Sequence, residues 1–275
     1  TLEVIRWSIQ NINEDTDNQV GKSQVLSQFY DSIIRLEKFI YNKSLIVQKK
    51  SKDLQLEYAP EYNQSISPNY LFEHLPKYGD MDIKLNIDAP KEGLGKYTLL
   101  RKEIDIINAK YIVPGYLVQL TYTQSNPSMI RYLFQDPVTV AGWQAYAVKM
   151  LIDEGFGNWN NEYHILKLRE ELSVIVSAII EYRYYTGEFS RLDSKNYLQK
   201  MAFIDEFDSE VVLIDSDCNY FSGTQSFVGL MEMNSLLTEY KRTKGDAFNL
   251  SEFHSFVLSD GIIPFYELKK KVIYP

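Results

Sequence analysis

Lys110-Tyr111-Ile112-Val113-Pro114-Gly115-Tyr116-Leu117-Val118-Gln119 decides how this chain is read. It is the middle of a stretch, Leu99 to Gln124, whose pattern is helical. Pro114-Gly115 must kink or break that helix, because proline offers no amide donor and its ring crowds the preceding turn. Helix and stop signals alternate downstream as well. Asp136 followed by Pro137 is an N-cap with proline at the first helical position. The helix it opens runs past Trp143, Ala147 and Met150 to the glycines at 155 and 157. A long helix from His164 to about Tyr185 follows, with Ile165, Leu168, Leu172, Val176 and Ile179 expected on its buried side and Gly187 as its stop. Asn249 with Glu252 opens another helix, closed by Gly261. Pro264 opens the last, whose C-terminal dipole suits Lys269, Lys270 and Lys271.

Upstream, Leu26, Phe29, Ile33, Leu36 and Ile40 stand at helical spacing on one face. Two heptads are too few for a coiled coil, so the stripe reads as a core face. Leu2, Ile5, Ile9 and Ile12 give a shorter helix, stopped by the polar run Asn13–Asn18 and Gly21. Tyr58–Pro76, with Pro60 and Pro68 inside it, reads as a connector. From Asp82 to Asp88, apolar Ile83, Leu85 and Ile87 alternate with polar residues, the period of a half-buried strand. Pro90, Gly93 and Gly95 then turn the chain towards a second strand near Tyr97. The expected fold is mainly α with a small β-hairpin insertion. It is read as one domain: helical entry and connector over 1–80, hairpin over 81–98, helical core over 99–275.

Composition narrows the function. The 275 residues carry 37 acidic and 29 basic side chains, a net charge of −8, and 45% hydrophobic residues. A chain this long buries a core without a disulfide or metal staple. No basic run offers the electrostatic footprint of nucleic-acid binding. The longest apolar stretches, such as Tyr111–Val118, are far shorter than the ~20 residues of a membrane span. Cys218 is the one cysteine, so neither an internal disulfide nor a multi-thiolate zinc site is expected. Phosphate-loop, dinucleotide, G-x-S-x-G and H-E-x-x-H patterns are all missing. Asp215-Ser216-Asp217-Cys218-Asn219 begins like a calcium loop, but Tyr220 stands at the turn glycine and Ser226 at the bidentate glutamate. It reads as a polar loop. Only His74, His164 and His254 are available as imidazoles, and His254 reads as a satisfied or surface residue.

Four segments in order resemble the bacterial domain-of-unknown-function 885 family. Tyr111 to Gln119 is similar to its H-E-x-x-P-G-H-x-x-Q helix, and Asp136 to Ala147, through Ala141-Gly142-Trp143 and Tyr146, to its E-G-W-x-x-Y-A helix. Glu181 to Gly187 resembles a D-x-x-x-H-x-G helix end. The tail, Gly245-Asp246-Ala247-Phe248 through His254 to Pro264, is the nearest match. The resemblance implies a helical zincin-like lobe of the thermolysin-type clan, whose members look like zinc metallopeptidases with a cleft between helical lobes.

Matched position by position, however, this chain has Lys110 and Tyr111 for the first histidine and its glutamate. Tyr116 stands for the second histidine, Ala141 for the glutamate before Gly-Trp, and Tyr185 for the helix-end histidine. Neither lysine ammonium nor alanine ligates zinc, so no metal and no cofactor is expected. The resemblance therefore implies a catalytically inactive relative acting as a binding or assembly module. Lys110, Tyr111, Tyr116, Ala141, Trp143, Tyr146, Glu181 and Tyr185 form its degenerate site. Lys110 is expected beside Ala141, with Glu181 or the hydroxyl of Tyr111, Tyr116 or Tyr185 as its partner.

The alternative is a hydrolase rebuilt around Lys110 as a base with a neighbouring tyrosine. A partner chain or a homo-oligomer is expected, with a peptide in the former cleft as a further possibility. Thr1 in first place leads to the expectation of a processed, trimmed or partial chain, shorter than its relatives by most of a helical N-terminal half. Relatives of this kind imply an extracytoplasmic place, in the periplasm or envelope, exported or lipid-anchored.

Overall fold

The structure is a computed structural model, and it describes residues 6–9, 11–12, 19–21, 24–47, 54–58, 83–87 and 100–273. The connector prolines, His74 and the expected return strand near Tyr97 lie outside them. Residues 6–9 and 11–12 are helical, and Ile9 and Ile12 are buried.

Helix α1 (Val25–Asn42) buries Phe29, Ile33, Leu36 and Ile40, the stripe expected of it. Strands β1 (Leu54–Tyr58) and β2 (Ile83–Ile87) pair in parallel, Leu56 opposite Leu85. The expected strand is thus present at Ile83–Ile87, but its observed partner lies just ahead of the expected connector, sharing only Tyr58 with it, and runs parallel, so this pairing is a crossover and not a hairpin. The helical core follows: α2 (Arg101–Tyr111), α3 (Tyr116–Ser125), α4 (Met129–Leu133), α5 (Pro137–Asp153), α6 (Asn161–Tyr185), α7 (Arg191–Met201), α8 (Glu206–Cys218), α9 (Ser222–Lys244), α10 (Leu250–Ser259) and α11 (Phe265–Ile273). Among the described residues no helix is long and apolar enough to cross a membrane.

Local signals place these boundaries. Asp136 and Asn249 accept the amides of Thr139 and Glu252 as N-caps. Gly187 and Gly261 adopt positive φ after α6 and α10. Two expectations change. Asp215 to Cys218 is the end of α8 and not a loop, its Asp217 paired with Arg191. On α6 the buried set is Tyr163, Leu166, Val176, Ser177, Ile180 and Glu181, while Leu168 is exposed. The apolar stripe of α6 misleads because a polar carboxylate and a serine take core positions against α9.

One close approach organises the core. A Cβ on Gly142 of α5 would fall 2.6 Å from the Gly229 backbone of α9, and one on Gly229 would fall 2.3 Å from the Val138 carbonyl oxygen. Only two glycines let these helices touch backbone to backbone. A second buried group ties the front of the molecule together: Asp105, 2% exposed, accepts from Arg35 of α1 (2.7 Å) and from the Tyr163 hydroxyl of α6 (2.5 Å).

Candidate functional site

Helix α2 ends where the sequence demands it. The amides of Ile112 and Val113 both donate to the Asn108 carbonyl, and Pro114 then diverts the chain. Gly115 is required, because a Cβ there would lie 1.9 Å from the Lys110 carbonyl oxygen. The indole Nε1 of Trp143, fully buried on α5, donates to the carbonyls of Pro114 (2.9 Å) and Gly115 (3.2 Å). The break between α2 and α3 is thereby fastened to α5.

This fastening brings Lys110 and Ala141 together as walls of one cavity of about 20 Å³, shared with Glu170 and Glu171 of α6 and Leu230 of α9. Such a space holds roughly one water molecule. The Lys110 ammonium stands 3.9 Å from the Glu170 carboxylate and 5.6 Å from the centre of the Tyr111 ring, its side chain 28% exposed. Tyr111 and, less, Glu170 and Asp215 hold the ammonium above the ordinary lysine range in spite of burial. Nearby, Asp208 is pushed up to about 7 by burial and by Asp205, Glu103 and Glu170, with Arg169 opposing.

Glu181 does not pair with Lys110. Its Oε1 accepts the Gly223 amide (2.8 Å), and its Oε2 accepts the Thr224 amide and hydroxyl (2.8 Å each). A carboxylate at the first turn of α9 satisfies orphan amides and the positive end of the helix dipole. The expected pair fails for a simple reason: Glu181 lies eleven residues beyond Glu170 on α6, about 16 Å of helix rise. Tyr185, at the end of that helix, is largely exposed; its hydroxyl donates to the Ser216 carbonyl (3.0 Å), and its ring meets Tyr184, Tyr220 and Phe221.

Tyr146 and Trp143 belong to a third place, packed with His254 at ring separations of 5.6 to 5.8 Å. His254 Nδ1 lies 2.7 Å from the Leu45 carbonyl, and Nε2 lies 2.8 Å from the Tyr146 hydroxyl. A carbonyl only accepts, so Nδ1 carries the hydrogen, and the Tyr146 hydroxyl donates to Nε2. Burial pushes the imidazole down to about 4 and raises the Tyr146 phenol. His254 is thus neutral and satisfied. Tyr116 is spent on Gln135, to whose Oε1 it donates (3.1 Å).

The eight expected site residues therefore divide. Lys110 and Ala141 share a nearly filled cavity with the Tyr111 ring beside the ammonium, Trp143 and Tyr146 sit in the core, Glu181 and Tyr185 brace the start of α9, and Tyr116 faces Gln135. Sequence reasoning missed Glu170, Glu171 and Lys167. Their helical spacing puts them on one face of α6, but nothing in it says which face meets Lys110. It also missed a groove of about 420 Å³ bordered by Tyr146 and lined by Lys43, Glu154, Lys241 and Asn249. As for metals, no three His, Cys, Asp or Glu side chains converge to hold an ion among the described residues. At the matched positions an ammonium, a hydrogen-bonded phenol and a methyl group do not fit a zinc ion.

Solved structures share this fold. A candidate lipoprotein of unknown function from Shewanella oneidensis superposes with a TM-score of 0.80 at 24% identity, over 96% of this chain and 48% of its own. A candidate lipoprotein from Colwellia psychrerythraea superposes with a TM-score of 0.83 at 16% identity, over 96% of this chain and 45% of its own. The chain thus spans about half the length of both. No curated protein matches it. Residues 5–272 match the family described as bacterial protein of unknown function (DUF885), covering the broken α2–α3 helix, the Gly-Trp of α5 and the C-terminal helix pair alike, and the chain belongs to that family.

Proposed function

We propose that this chain is a non-hydrolytic relative of zincin-like metallopeptidases, retained as a binding or assembly module outside the cytoplasm. The observation that supports this reading is the cavity between Lys110 and Ala141. It has room for about one water molecule and is closed by an ammonium facing a carboxylate. A peptide bond and an attacking water do not fit there together. The rebuilt-hydrolase alternative needs a lysine that gives up its proton near neutral pH. Lys110 is shifted the other way.

Two further observations favour binding. Met129, Ile130, Leu133 and Phe134 form an exposed apolar knuckle at α4, the kind of surface that marks an interaction site. Solved proteins of this fold are described as candidate lipoproteins, which supports an exported or lipid-anchored place. The test is elemental analysis of chelator-free protein together with a peptidase assay on a mixed peptide library. The expected result is sub-stoichiometric metal and no cleavage. About one zinc per chain, with cleavage that a chelator abolishes, overturns the proposal.

A further inference from the structure

A groove of about 420 Å³ is bordered by α1, α5, α9 and α10, within the size range of ligand sites. Its floor is apolar, with Leu45, Met150, Leu237 and Phe248, and its rim is charged. Three lysines, Lys43, Lys149 and Lys241, face two carboxylates, Asp153 and Glu154, in a chain whose net charge is −8. Among the described residues, most of this charge is not matched by an ion pair. Lys149 and Asp153 pair with each other, and Asp153 also takes Lys167 at 2.6 Å. Lys43 and Lys241 have no carboxylate within ion-pair distance among the described residues. They rest instead over the rings of Phe39 (5.9 Å) and Phe248 (5.0 Å). An aromatic face orients an ammonium without neutralising it. Glu154 likewise has no ion-pair partner among the described residues.

Among the described residues the groove therefore offers two cations and one anion without an ion-pair partner, around an apolar floor. We propose that it binds a short peptide with free termini, the carboxylate held by Lys43 and Lys241, the amine by Glu154, and an apolar side chain on Leu237 and Phe248. Hydrogen bonds pin one wall of the groove. Leu45 is tied to α10 through His254, and His254 to α5 through Tyr146. The inference deepens the binding reading and rests on it.

The test is calorimetric titration of the full chain with trileucine, its N-acetyl form and its C-amide form. Saturable binding of trileucine is expected, weakened about fivefold or more, roughly 1 kcal/mol, by blocking either end. The double variant Lys43→Met with Lys241→Met should lose that factor for trileucine but not for the C-amide. Glu154→Gln should lose it for trileucine but not for the N-acetyl form. These rim positions are solvent-accessible, and melts confirm that the variants fold. No saturable binding in the millimolar range, or binding indifferent to the blocked ends, overturns the inference. Chromatography of the same mixtures separates the two proposals. Trileucine bound in the groove and also cleaved supports the groove while overturning the non-hydrolytic reading. Failure to bind overturns the groove and leaves the non-hydrolytic reading to its metal and peptidase assay.

Discussion

Two spaces flank α5 and α9, and they differ in every respect that bears on binding. The Lys110–Ala141 cavity is nearly filled, and its central ammonium has a carboxylate in reach. The Lys43–Lys241 groove is some twenty times larger, and among the described residues Lys43, Lys241 and Glu154 of its rim have no ion-pair partner. The filled cavity lies where family motifs point; the open groove lies where no motif does. Present capacity to bind is set by open volume and unpaired charge.

The largest expected effect tests whether one seam holds both spaces. Leu230 and Ser226 of α9 line the cavity, while Asn234, Leu237 and Lys241 of the same helix line the groove. Gly229→Ala would drive a methyl against the Val138 carbonyl and Gly142. We expect a loss of about 3 kcal/mol or more, or failure to fold, read by thermal melts. A melt equal to the parent's would mean that the two spaces do not depend on the seam.

Next in size is a difference in titration between two strongly shifted groups, one behind the groove and one near the cavity. Behind the groove, His254 is held down at about 4, against about 6.5 when unfolded. The folded state excludes its proton, so this contribution is intact above the unfolded value and is lost as pH falls from about 6.5 to 4, up to about 3 kcal/mol. Near the cavity, Asp208 has the opposite sign. Its folded value of about 7 lies above the usual carboxyl, so its contribution is full below about 3.9 and lost as pH rises through 7. Asp208→Asn should therefore unfold at higher urea than the parent at pH 8 and lose that advantage in acid. In that variant the His254 imidazole, followed by NMR, should stay neutral down to about pH 4. An imidazole that titrates near its unfolded value would show that the groove wall is open to water.

The smallest effect is expected where the family motif is strongest. Lys110 and Glu170 are partly exposed and 3.9 Å apart. Lys110→Met should cost under about 1 kcal/mol, and combining it with Glu170→Gln should be additive within about 0.5 kcal/mol. Thermal melts of the single and double variants decide this. A loss of several kcal/mol on removing Lys110 alone would mark a sealed ion pair and sharpen the contrast with the groove further.

Local chemistry was legible in the residues themselves. The Asp136-Pro137 and Asn249 caps, the Pro114-Gly115 break, the α1 stripe and the strand at Ile83 to Ile87 all rest on interactions within a few residues, so spacing alone reports them. The family resemblance added one long-range fact, that Lys110 and Ala141 stand together, because the matched helices are fastened through Trp143. What it could not add was the partner of either one. Glu181 was matched as a neighbour of Lys110, yet it caps α9, and Glu170 meets the lysine instead. The parallel β1–β2 pairing, the helical state of Asp215 to Cys218 and the buried face of α6 depend likewise on what packs opposite.

The amino-acid sequence by itself determined the helices, their caps and breaks, and the presence of Lys110, Tyr111, Tyr116 and Ala141 at the family-matched positions, since each depends on residue type and short spacing. Tertiary structure alone decided which carboxylate faces Lys110, that His254 is buried and neutral, and that Lys43, Glu154 and Lys241 share one groove. These residues are far apart in sequence. For Glu154 and Lys241, at the ends of α5 and α9, the backbone contact of Gly142 with Gly229 sets how close those two helices can come.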